Sequence, residues 1–150
     1  MNQRYIRGIA ALLIGSALNH FGDHLLGVTL ELFHGLSTFS FSWILDMFFL
    51  PFLVGLVIAW IFGYGARWLS YLPPLIVRSI SYAEIYFSGA PVGSSLIPLG
   101  WWGFFVILAM ESAWAGGIIG EVMIKKVYGR SAGLPAAEAT PIAEDKPPGI

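Results

Sequence analysis

The sequence predicts an all-α integral membrane bundle of about four transmembrane helices, with both termini cytoplasmic and a disordered C-terminal tail. Three observations carry that expectation. Of 150 residues, 57% are hydrophobic and 11% charged, whereas a soluble domain carries about 25% charged residues. Apolar stretches of about 20 residues, the length that crosses a bilayer, recur along the chain. Four crossings would also place Arg4, Arg7, Arg67, Lys125, Lys126 and Arg130 on one side, as the positive-inside rule requires.

The first stretch covers residues 8–34 and is longer than one crossing needs, so its outer part projects, tilts or follows the interface. Arg4 and Arg7 ahead of Gly8 to Leu18 resemble the start of a secretory signal. No convincing small-x-small cleavage site follows, so an uncleaved span is expected. Gly35 suits a C-terminal cap.

Residues 41–63 form the second stretch. Pro51 within it should kink the helix and release a carbonyl about one turn earlier, and Trp43 and Trp60 near its ends match an aromatic belt. The third, residues 68–87, is less regular: Pro73 and Pro74 delay helix initiation, and Arg78 and Glu84 interrupt the apolar run. It either spans or lies on the surface, and the charge pattern favours spanning. The fourth covers residues 98–124, entering at Trp101 and Trp102 and leaving at Lys125 and Lys126. Residues 1–128 thus form the membrane domain. Residues 129–150, rich in Ala, Pro and acidic side chains, form the tail. A multi-pass protein of a bacterial inner membrane is the expected setting.

Function classes narrow on the same evidence. A net charge of −1 lacks the basic excess that binds nucleic acid. Without cysteine the chain supports neither disulfides nor thiolate metal sites. No internal repeat supports an inverted-repeat transporter, and four helices enclose little volume. Copies of the chain or other membrane subunits are therefore expected as partners, besides the bilayer itself.

Helical spacing puts Ser16, His20, His24, Gly27, Glu31 and His34 on one stripe of the first helix, with Asp23 at its border. Ionisable groups facing lipid are costly, so the stripe should face protein or water. His20, Asp23, His24, Glu31, His34, Asp46 and Glu84 are the candidates for protons or a divalent metal, Zn, Fe or Cu, because imidazole and carboxylate serve both. His20 and His24 lack the glutamate that marks a zinc protease, so hydrolase chemistry gets no support, and a membrane enzyme or haem protein ranks as a third reading behind the two given below. Haem fits poorly, since bis-histidine ligation draws on two helices and all three histidines fall on one.

Depth estimates place Arg78 and Glu111 together near mid-membrane as a buried ion pair, with Glu31, His34, Asp46 and Glu84 in an outer layer. Ser112, Gly116 and Gly120, at intervals of four on the last stretch, form a groove for packing within the chain or between chains. The leading expectation is a small membrane component that handles protons or divalent cations through this His/Asp/Glu stripe. The alternative is a non-catalytic accessory or assembly subunit whose polar groups are contacts between helices.

Overall fold

A computed structural model describes residues 3–128 and is mostly helical. Its main elements are α1 (Gln3–Leu26), α2 (Phe41–Phe62), the short helix α3 (Ala66–Leu69), α4 (Leu72–Ser88) and α5 (Leu99–Tyr128). The expected tail, residues 129–150, lies outside the described residues. Two helices, α2 and α5, are long and apolar enough to cross a membrane. α1 carries Arg4, Arg7 and Asp23, and α4 has 17 residues and carries Arg78 and Glu84.

α1 ends eight residues earlier than the sequence pattern suggests. Gly27 takes a φ of +62°, a left-handed conformation that costs glycine little and stops a helix. Residues beyond it turn back: Leu32–Phe33 forms strand β1, paired antiparallel with β2 (Ser95–Leu96), so that Leu32 opposes Leu96. This two-rung ladder ties the α1–α2 connection to the α4–α5 connection, and the Ile97 N–H donates to the Glu31 carbonyl at 2.9 Å. Gly35, the expected cap, instead opens a 3-10 turn, Gly35–Thr38.

α2 begins with Ser40 as its N-cap, the hydroxyl accepting from the Trp43 N–H at 3.2 Å. A π-helical turn, Leu45–Phe49, follows directly and leads into Pro51. Proline has no N–H to give to the preceding turn. In that turn the Phe48 carbonyl accepts from the Ser112 hydroxyl of α5 at 2.5 Å. The expected disturbance at Pro51 is therefore a wider turn, stitched to a neighbouring helix.

α2 and α5 pack closely because glycines line their contact. A Cβ on Gly55 would strike the Ala113 carbonyl, and one on Gly116 would strike the Phe52 carbonyl. Gly120 meets the Ala59 side chain in the same seam. The groove of Ser112, Gly116 and Gly120 thus serves packing within the chain. Ala11, Val54, Ile58, Ala59 and Ala66 form one buried cluster beside this seam, and Leu30, Trp43, Met47 and Ala109 form another.

At one end of the bundle Glu121 accepts from the backbone N–H groups of Gly65 and Arg67, both at 3.0 Å, and holds the α2–α3 corner to α5. Arg4 lies over the Phe62 ring and Lys125 over the Tyr64 ring at the same end. Glu121 is thus buried and structural there.

A Gly116→Ala substitution sets a methyl against backbone that cannot yield, an overpacking that typically costs about 1–3 kcal/mol. Gly100→Ala, where nothing lies within 4 Å of the added carbon, is expected to be neutral. Thermal unfolding of both variants in detergent checks the contrast, and equal midpoints would refute the close α2–α5 contact.

Candidate functional site

Arg78 is the organising residue. Its guanidinium is 2% exposed on the inner face of α4, one turn after the buried Pro73 and Pro74. A charge so placed must be paired. Nη2 donates to Asp23 Oδ1 of α1 and to Asp46 Oδ2 of α2, both at 2.7 Å, and Nη1 lies 3.7 Å from Glu31 Oε1. One cation therefore draws three carboxylates, two from helices and one from the folded-back connection.

Each carboxylate has a local reason to be there. Asp23 follows Ala11, Gly15 and Asn19 along the buried face of α1 at intervals of four. Asp46 lies in the π-helical turn, where the widened backbone shifts the register of the side chains that follow. Glu31 arrives because Gly27 ends α1 and because its own carbonyl is anchored to Ile97.

The cluster is rich in negative charge and poor in donors. Both Glu31 oxygens and Asp46 Oδ1 are buried without a hydrogen-bond partner among the described residues, as are both amide atoms of Asn19. Burial pushes the Glu31 carboxyl above its ordinary range, opposed by the Arg78 charge. Glu31 lies outside the helices, and its protonated form is thereby favoured.

The structure redistributes the other sequence candidates. Arg78 pairs with Asp23, Asp46 and Glu31, not with Glu111: that carboxylate is exposed on α5 and accepts from the Tyr71 hydroxyl at 3.4 Å. The physical reason is the helix face: Arg78 lies buried where Asp23 and Asp46 meet it, whereas Glu111 is on the exposed side of α5, and the early end of α1 at Gly27 adds Glu31 by letting the chain fold back. The continuous helical stripe through Glu31 and His34 is broken at the same point. His34 sits exposed in the outer connection, its N–H donating to Thr38 Oγ1 at 2.7 Å.

His20, His24 and Glu84 are exposed, yet all three line a cleft of about 440 Å³ between α1 and α4. Asp23, Glu31 and Arg78 lie in its wall. The two imidazoles meet edge to face with centroids 4.8 Å apart. Among the described residues no three His, Asp or Glu side chains are grouped to hold a metal ion.

Asn19 was not singled out from sequence, although its interval of four before Asp23 was the signal that could have found it. No protein-family model, no curated protein and no solved structure matches this chain significantly.

Replacing Arg78 with Gln strands three carboxylates, and removing one partner of a buried charge group typically costs about 3–5 kcal/mol. In a background of Asp23→Asn with Asp46→Asn the same replacement is expected to cost far less, as measured by a chemical unfolding cycle. A raised Glu31 carboxyl contributes stability that is complete below its unfolded value and is lost as pH rises through its folded value. Stability should therefore climb as neutral samples are acidified toward the ordinary glutamate range, and Glu31→Gln should flatten that slope. An unchanged slope would remove the assignment.

Proposed function

We propose that this chain is a multi-pass membrane protein, both termini on the cytoplasmic side, whose buried acidic centre takes up and releases protons through the α1–α4 cleft. The observation that carries the reading is the imbalance at Arg78: three buried carboxylates meet one guanidinium. In a medium of low dielectric such an excess is relieved by binding protons. A cluster beside an open polar cleft has a route for exchanging them.

The membrane setting draws support from the two long apolar helices. It also draws on charge segregation, with Arg4, Arg67 and Lys125 gathered at the end that carries Phe62 and Tyr64. Protons fit the centre better than a divalent metal, because its carboxylates converge on Arg78 and lack a grouped ligand set.

An assembly role is a second reading, favoured by Glu111. This carboxylate stands on the exposed side of an apolar helix with one long hydrogen bond from Tyr71. In lipid it would need further cover, which a partner helix could supply. Native purification of Glu111→Leu beside the parent chain tests that role, which predicts loss of a co-purifying subunit.

Infrared titration of the reconstituted protein tests the proton reading. A carboxylic C=O band is expected to persist above the ordinary glutamate range and to lose intensity in Glu31→Gln; a band indifferent to that change would overturn the reading. Because the chain has no cysteine, single-cysteine labelling in intact cells can test topology cleanly. Ser88→Cys should react with an impermeant maleimide from outside and Tyr64→Cys only after permeabilisation. Labelling of both from one side would remove the four-span arrangement.

A further inference from the structure

We propose that the α1–α4 cleft binds a small organic ammonium ion, held between Asp23 on one wall and Glu84 on the other. The inference rests on the reading of the acidic centre as an ionisable site open to water.

Charge selects a cation. Asp23, Glu31, Asp46 and Glu84 gather at this end around the single cation Arg78, leaving an excess of three carboxylates (four less one) when all are ionised. Arg78 is itself occupied by Asp23 and Asp46. Among the described residues the remaining Lys and Arg side chains belong to the opposite end, near Phe62, Tyr64 and Trp68. A concave surface of one sign concentrates ions of the other. Glu31 strengthens the case independently, since its fully buried carboxylate lines the cleft and, beyond the 3.7 Å approach of Arg78, neither oxygen has a hydrogen-bond partner among the described residues.

Size and lining select an organic cation over an inorganic one. About 440 Å³ falls within the range of small-molecule pockets and far exceeds what a bare ion fills. An inorganic ion needs several ligands converging on one point, and no three acidic or imidazole side chains are so grouped among the described residues. An ammonium instead donates to acceptors spread over the walls. Ser81 and Ser88 supply such oxygens beside Glu84 on α4, while Val28 and Ile85 offer apolar surface for a carbon chain.

The test titrates 1,4-diaminobutane into the full chain in lipid nanodiscs at pH 8, with 1-butanol as the uncharged comparison. Calorimetry should register the diamine and not the alcohol. Glu84→Gln, at an exposed position, should weaken binding at least about tenfold, equivalent to 1.4 kcal/mol. Ser79→Ala, exposed on the same helix and outside the cleft lining, should leave it unchanged. Absence of diamine binding, equal binding of butanol, or an affinity indifferent to Glu84→Gln would each overturn the inference. The carboxylic band measured on the same samples separates the failures. Normal titration without amine binding removes the ammonium site alone, whereas no titration removes the proton reading and this inference with it.

Discussion

Burying a guanidinium among apolar helices is the constraint on which the rest of this structure depends. An isolated charge in such a place is untenable, so α1, α2 and the α1–α2 connection must each deliver a carboxylate to Arg78. Asp23, Asp46 and Glu31 come from sequence positions far apart, and their convergence fixes how α1 and α2 approach α4. The glycine seam between α2 and α5 then completes the bundle by close backbone contact. Polar and apolar forces divide the molecule: ion pairing joins α1, α2 and α4, and small-residue packing joins α2 to α5.

The same centre carries a tension that pairing does not remove. A salt bridge of one cation and one anion would hold the helices with less residual charge. Three carboxylates exceed that need, and two of them keep oxygens without partners. Structure alone rarely retains such atoms, because each unpaired buried polar group costs about 1–3 kcal/mol. On the proton reading proposed above, a group whose protonation changes has a reason to be left incompletely satisfied, since full satisfaction would lock one state.

Much of this was legible in the sequence, and the limits of legibility have identifiable causes. The helices could be located because hydropathy and proline placement act locally: Pro73 and Pro74 open α4, and Trp101 and Trp102 stand in the first turn of α5. The small-residue groove was visible from spacing, though only the structure shows that Gly116 faces Phe52 within the same chain. The residues of the centre were among the sequence candidates, but Arg78 was paired with Glu111 because depth was counted along straight helices. Depth says nothing of helix face, and Glu111 lies on the exposed side of α5; what Gly27 defeats is the helix-one stripe. One residue with positive φ ends α1 early and turns Glu31 back into the bundle, and a helical-wheel argument carried past it keeps His34 on a stripe that the chain has already left.

The π-helical turn shows how local strain and the centre are linked. Pro51 cannot donate to the turn before it, and a backbone that must widen somewhere does so across Leu45–Phe49, the segment that holds Asp46. Ser112 on α5 bonds to the Phe48 carbonyl in that same segment. Asp46 therefore responds to both halves of the bundle: its carboxylate is tied to α4 through Arg78, and its backbone turn is tied to α5 through Ser112. A substitution at Asp46 would be felt through one covalent segment by two helices that otherwise meet over little surface. That coupling gives the acidic centre a physical route to the packing of the whole fold.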